Sequence, residues 1–322
     1  MTKIFLTGAT GYIGGDGLHT LVKAHPEYEI TALVRSKEKG DLVTSQYPSV
    51  SLVYGDLDDL ELLAEQVSKA DITCHWASCE HEAAAKAIAE GISRKTKDDA
   101  GFVIHLSGAD IICYPDLNDE TYGIKRDQVF DDWDGVGEVT SPPENAPHKE
   151  VDLAILGIGG KTAIVCPPTI YGPGRGPGNQ RSIQVPELAL HSLKRGAAIT
   201  VQEGENIWNS VHAAAQGGGK ADWGSNGYYF VENGDFSWKA IAEKIAKEAK
   251  AQGLWEDEKV ESLSVEDADK VWPYASFFWG TNSRSRAIRA RKVLDWEPVE
   301  KDIFEDVVAV VKAEAASLKL AE

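Results

Sequence analysis

The chain has 322 residues, 43% of them hydrophobic, which is enough to fill the core of one large α/β domain or two smaller ones. Its 51 acids outnumber 33 Lys plus Arg and leave a formal net charge of −18, a field that repels DNA, RNA and anionic lipid; nucleic acid and membrane are therefore not expected partners. Cys74, Cys79, Cys113 and Cys166 include no Cys-x-x-Cys pair and read as buried thiols of a reducing compartment, with no metal cluster or disulfide frame. Met1 to Thr7 is already strand-like and no apolar run approaches membrane-spanning length, so the expectation is a cytoplasmic protein.

Residues 3–7 (Lys-Ile-Phe-Leu-Thr) read as a buried strand that breaks at a glycine turn, followed by an amphipathic helix carrying Ile13, Leu18, Leu21 and Val22. A second strand near 29–34 closes a βαβ unit. Further strands near 50–54, 71–76 and 101–106 follow with helices between them, an alternation that predicts a parallel sheet covered on both faces. From Ser107 to about residue 147 the chain is irregular and acid-rich, as in functional lids. A helix near 149–157 then leads into a sixth strand, 161–166. Beyond Pro167-Pro168 come helices near 183–195, 236–252 and 301–317 and a short strand near 227–231. The fold class is thus α/β: a Rossmann doubly wound parallel sheet in residues 1–168, with the long loop 108–147, and a smaller substrate-side domain in 169–322 that interleaves with it.

A dinucleotide's pyrophosphate needs exposed backbone N–H groups, the positive end of a helix and no β-carbons in the way. Thr7-Gly8-Ala9-Thr10-Gly11-Tyr12-Ile13-Gly14 supplies these between strand and helix, with the second strand arriving on time. At the end of that second strand, where an acid would select NAD, stands Val34-Arg35-Ser36. Arg35 is suited to fork onto a 2′-phosphate and Ser36 to donate to it, so NADP(H) is favoured over NAD(H).

The motifs together resemble the short-chain dehydrogenase/reductase superfamily, in its extended or atypical branch of epimerases, dehydratases and carbonyl reductases. They are the Thr7-to-Gly14 turn, Gly55-Asp56-Leu57, Trp76-Ala77-Ser78, Leu106-Ser107-Gly108, and Pro167-Pro168-Thr169-Ile170-Tyr171-Gly172-Pro173-Gly174. Leu294-Asp295-Trp296-Glu297-Pro298 is similar to the family's C-terminal Leu-Gly-Trp-x-Pro. The resemblance implies that Asp56 and Leu57 cup the adenine, that Ala77 and Ser78 lie along the cofactor, and that Pro167 and Thr169 meet the nicotinamide; dimers are common in the family. It also implies a Tyr-x-x-x-Lys pair with a Ser after the fifth strand, Tyr exchanging the proton, Lys lowering its pKa and Ser orienting the substrate oxygen. Ser107 matches that Ser, but no tyrosine here has Lys four residues later. One register puts His148 and Asp152 at the two positions; the other puts Glu144 and His148 there.

His148 is therefore one candidate proton donor, its imidazole titrating near neutrality, and Tyr122 on the long loop is another. The acidic run Asp127, Asp131, Asp132 and Asp134 has no EF-hand spacing and reads as a solvated loop face. In the resembling family the Gly172-to-Arg181 loop borders the substrate, which makes Arg175 and Arg181 candidate binders of an anionic or polyoxygenated small molecule. Trp208-Asn209-Ser210-Val211-His212 begins like the family's Val-His-Val-Asp-Asp segment and then breaks off into Ala213-Ala-Ala-Gln-Gly-Gly-Gly219. The leading expectation is an NADP(H)-dependent oxidoreductase acting on a small carbonyl or alcohol. A non-catalytic NADP(H) sensor and a nucleotide-sugar epimerase or dehydratase are the alternatives.

Overall fold

Seven short segments rich in aliphatic and β-branched residues lie side by side, every neighbouring pair parallel. They are β1 (Lys3–Thr7), β2 (Glu29–Val34), β3 (Ser51–Tyr54), β4 (Ile72–His75), β5 (Phe102–Leu106), β6 (Thr162–Cys166) and β7 (Tyr228–Phe230), in the order β3-β2-β1-β4-β5-β6-β7. The computed structural model describes residues 1–96, 101–214 and 220–320. Alternate side chains of β1 feed opposite layers, as the two-residue period of a strand requires. Ile4 and Leu6 pack with Leu18 of α1 (Tyr12–Ala24) and Val43 of α2 (Lys37–Gln46). Phe5 packs with Leu63 and Val67 of α3 (Leu60–Lys69) and Ile88 of α4 (Glu82–Ser93). Both faces are covered, and even the polar Thr73, His75, His105 and Thr162 of the central strands are buried.

Two parts of the chain depart from the simple division at residue 168. The expected 227–231 strand joins the edge of the main sheet beside β6, so the second half of the chain completes the first half's sheet. The long segment after Ser107 is also more ordered than its composition predicts. It contains a short helix, Tyr114–Asp119, and a two-residue strand, Phe130–Asp131, that pairs with Ser285–Arg286. The acidic run within it is not a uniformly solvated face. Asp127 is exposed, but Asp132 is fully buried and accepts the backbone N–H groups of Phe230 (2.9 Å) and Arg289 (2.8 Å). Burial, opposed by those bonds, pushes its carboxyl up to about 6.

Helix α5 (Lys149–Gly157) runs back to β6 over the range its periodicity predicts. Helices α6 (Gln184–Arg195), α7 (Trp238–Ala251) and α8 (Ile303–Ser317) enclose a second core around Leu188, Trp238, Ile241, Trp279 and Val307. Ser237 and Asp302 cap two of these helices, accepting from Ala240 N and Glu305 N. The Trp208-to-His212 stretch is a strand, Ile207–His212, parallel to Thr169–Tyr171 and antiparallel to Asp235–Ser237. Of the expected break over 213–219, residues 215–219 lie outside the described residues. Asp295 takes φ +49° at the place where the resembling motif has glycine, a left-handed conformation that Asp tolerates better than most residues, and Trp296 behind it is buried.

A β-carbon on Gly14 would lie 2.4 Å from the Gly8 carbonyl oxygen, backbone against backbone, whereas one on Gly137 meets nothing within 4 Å. Gly14→Ala is therefore expected to lower unfolding free energy by about 2–3 kcal/mol and Gly137→Ala to change it by less than about 1 kcal/mol. Urea denaturation of both variants checks this; equal effects contradict it.

Candidate functional site

The sheet changes direction of winding between β1 and β4, and the two loops leaving those strands diverge to open a crevice, the usual ligand position in this class of sheet. At its floor Gly8 adopts φ +88°, and a β-carbon there would stand 2.6 Å from the Trp76 carbonyl oxygen. Gly11 is less crowded than Gly8 and Gly14: a β-carbon there would lie 3.3 Å from the Gly8 carbonyl oxygen, a tight contact but not an overlap. Gly11 is also the N-cap of α1 and offers no side chain to the first helical amides. Free amides, a helix N-terminus and an unobstructed approach at one point fit a pyrophosphate.

From this point a groove of about 420 Å³ extends past Thr7, Leu33, Val34, Arg35, Asp56, Leu57 and Asp58. Leu57, Asp56 and Arg35 all line this groove. Arg35 is exposed and has no carboxylate partner among the described residues. Ser36 does not line the groove: its hydroxyl caps α2 by accepting Lys39 N. Gly14 serves packing rather than contact, and Thr169 is buried in a strand behind the site.

Trp76, Ala77 and Ser78 line this groove and also an inner chamber of about 380 Å³, so the two are continuous. The inner chamber is mainly apolar, bounded by Tyr12, Ile13, Leu106, Pro167, Ile170, Trp208 and Phe278. Ser107 lies on its wall, and its Oγ donates to Asp152 Oδ2 at 2.8 Å; both residues are buried. The only charged residues lining the chamber among the described residues are acids, Glu80 and Asp110. Cys79 also lines it, but burial pushes its thiol up to about 12, so it presents no thiolate.

An outer chamber of about 650 Å³ shares Glu80, Asp110 and Phe278 with the inner one and adds Pro147, His148, Tyr274 and Phe277. His148 heads α5 in the left-handed region, φ +42°, and its Nε2 lies 3.1 Å from Asp110 Oδ1. Burial works to lower this imidazole's pKa, but the Asp110 carboxylate outweighs it and holds the group above its ordinary value. His148 thus stands at the mouth, paired, while Ser107 stands inside.

Three sequence candidates are placed elsewhere. Tyr122 packs on the second core against Gly280, and Gly123 N bonds to the Gly280 carbonyl at 2.7 Å; this segment is held away from both chambers. Arg175 is committed to the buried Asp16, with Nε–Oδ1 2.8 Å, a terminal nitrogen at 2.5 Å and its own backbone N–H at 2.9 Å. Arg181 is held between Glu187 and Glu314, each at 2.7 Å. Both guanidiniums clamp the Gly-Pro loop to neighbouring helices, and neither lines a chamber. Sequence reasoning passed over Trp76 as the shared wall, although it is in a quoted motif, and Phe278, for which no local pattern exists. Asp110 was signalled only by lying three residues after Ser107.

The profile of the NmrA-like family matches residues 1–95. The chain is 39% identical to "Oxidase ucsJ" of an Acremonium species over 99% of both chains, and 25% identical to an uncharacterised Saccharomyces cerevisiae protein over 95% of this chain and 98% of that one. Among solved structures it resembles a dTDP-glucose 4,6-dehydratase from Bacillus anthracis in complex with NAD (TM-score 0.68, 13% identity, 100% of this chain and 99% of that one). It also resembles a UDP-glucose 4-epimerase from Thermotoga maritima with UDP-glucose (TM-score 0.63, 14% identity, 98% and 100%).

Arg175→Gln strands the buried Asp16 carboxylate and is expected to cost about 2–3 kcal/mol of stability, while the double variant with Asp16→Asn recovers much of it. Additive losses in urea titrations contradict the pairing. For His148 the folded pKa is raised, so its contribution is complete below the ordinary value of 6.5 and is lost as pH rises through the folded value. His148→Gln should therefore depress Tm more in mildly acidic than in mildly alkaline buffer; a pH-independent depression argues against the ion pair.

Proposed function

The chain belongs to the extended short-chain dehydrogenase/reductase family of NAD(P)-binding Rossmann proteins, and from that premise we propose that it is an NADP(H)-dependent oxidoreductase of a small, uncharged carbonyl or alcohol. The observation that carries this reading is the continuity of the two cavities: the dinucleotide groove passes Trp76, Ala77 and Ser78 directly into an apolar chamber with the Ser107 hydroxyl on its wall. A nicotinamide dinucleotide bound along the groove supplies or accepts hydride. The chain's own residues orient the rest: Gly11 and the start of α1 hold phosphate, Leu57 and Asp56 the base, and Ser107 the substrate oxygen.

The preference for NADP(H) rests on Arg35, whose guanidinium is free of carboxylate partners among the described residues, unlike Arg175 and Arg181. The substrate class rests on the chamber lining. A nucleotide sugar brings a diphosphate that requires cations, yet the charged residues lining both chambers among the described residues are Glu80, Asp110 and the Asp110-paired His148. The acidic rim and aromatic wall suit an apolar substrate with one oxygen function. The Acremonium relative's name as an oxidase agrees with redox chemistry.

Arg35→Ala should weaken NADPH binding by about tenfold or more, the worth of one charge-assisted contact, and leave NADH within about twofold. Fluorescence titration of the reduced dinucleotides checks this; equal affinities in the unmodified protein contradict the NADP(H) preference. Following the absorbance of NADPH with aromatic aldehydes and ketones separates an oxidoreductase from a sensor, which binds without turnover.

A further inference from the structure

Asp152 differs from the other deeply buried carboxylates of this protein in what surrounds it. Asp16 is matched by the Arg175 guanidinium, Asp116 by Arg126 and Asn282, and Asp132 by the backbone amides of Phe230 and Arg289. These are structural anchors, satisfied on both oxygens. Asp152, 1% exposed, has no Lys or Arg partner among the described residues. Its Oδ2 takes the Ser107 hydroxyl at 2.8 Å, with Tyr228 OH at 3.5 Å, and its Oδ1 accepts no hydrogen bond from the described residues and stands 3.5 Å from His105 Nε2. A carboxyl group so poorly satisfied is costly to bury and calls for an explanation.

Its one short contact leads to the chamber, because Ser107 lines that cavity. Behind it, His105 stacks on His75 with ring centroids 5.1 Å apart, and His75 Nδ1 lies 3.0 Å from the Thr7 hydroxyl beside the dinucleotide groove. The groups facing Asp152 are His105 from β5, Tyr228 from β7, Cys166 from β6, Cys79 after β4 and His148 at the head of its own helix. Burial keeps Tyr228 and Cys166 protonated and neutral, so neither neutralises the carboxylate.

We propose that Asp152 is the proton acceptor behind Ser107 and that the site is built for oxidation of an alcohol, an inference that rests on the oxidoreductase reading above. The substrate hydroxyl gives its proton to Ser107 Oγ as the Ser107 proton passes to Asp152 Oδ2. The carbon-bound hydrogen leaves with its electron pair to an oxidised nicotinamide dinucleotide, the required co-reactant. The C–O single bond becomes C=O, so the alcohol is oxidised, the dinucleotide is reduced, and the released proton resides on Asp152. Ser107 is the group that touches substrate; Asp152 acts through it.

The test uses the full chain with NADP⁺ and two probes. The first is 4-nitrophenol, an aromatic hydroxyl compound whose absorbance reports its protonation. With the Asp152 carboxyl in place its bound pKa should lie about one unit or more above that in Asp152→Asn, which removes the acidic group and keeps the shape. The second is benzyl alcohol: Asp152→Asn should lower kcat by about 100-fold, leave KM and NADP⁺ affinity within about threefold, and abolish the acid limb of the rate profile, with partial rescue by Asp152→Glu. Phenol that binds with the same pKa in wild type and Asp152→Asn overturns the proposal and leaves the chamber reading intact. Failure of both probes to bind a folded, NADP⁺-loaded protein overturns the chamber reading and this proposal with it.

Discussion

The site depends on one close approach, that of the Gly8 backbone to the carbonyl of Trp76. No β-carbon fits between them, so the turn after β1 and the turn after β4 are pressed together at the point where the sheet's winding reverses. From that contact the turns separate, one into α1 and the other along Ala77 and Ser78. The Trp76 ring is then laid over Gly17 of α1, where a β-carbon would meet the indole at 2.4 Å. One aromatic side chain consequently forms the shared wall of the groove and the chamber, and whatever occupies the first abuts the second.

Charge is distributed so that this junction stays free of competing cations. Arg175 and Arg181 lie on the loop nearest the chamber, yet each is bound to carboxylates on α1, α6 or α8. The Arg175–Asp16 pair fastens the loop onto α1, where Gly176 and Gly178 run so close to Gly15 and Thr10 that a β-carbon on either would stand 2.2–2.4 Å from backbone. The arginines shape the chamber indirectly, by fixing its rim. In a protein with net charge −18, this leaves Arg35 as an exposed cation on the groove, at the end distant from the chemistry.

What was legible in the sequence was whatever local spacing encodes. The strand-turn-helix at Gly8 to Gly14, the alternation of strands and helices, and the bounds of α5 follow from periodicity and glycine placement, and the structure reproduces them closely. What was not legible depends on contacts between distant residues. Tyr122 sits on a loop with catalytic-looking neighbours, but its position is set by Gly280. The acid-rich run around Asp132 looks solvated, yet Asp132 is drawn inside by amides of residues 230 and 289. Arg175 carries the sequence marks of a substrate ligand, and only the tertiary fold shows Asp16 beneath it. Hydrogen-bond partners so far apart along the chain leave no local pattern.

The missing Tyr-Lys pair takes on a different meaning once the register is known. His148 heads α5 and Asp152 lies one turn along the same helix, so of the two alignments open in the sequence, it is the one pairing these residues that places its second member against Ser107. A lysine there is a cation that makes a neighbouring hydroxyl more acidic; a carboxylate there makes it a better proton acceptor, since an added positive charge is then welcome. The surroundings match that inversion: His75 is held neutral by burial that takes its pKa down to about 3, and Tyr228 and Cys166 stay protonated. The substitution is thus accompanied by surroundings that give Asp152 no Lys or Arg partner among the described residues, and no neighbouring guanidinium or ammonium diminishes its basicity.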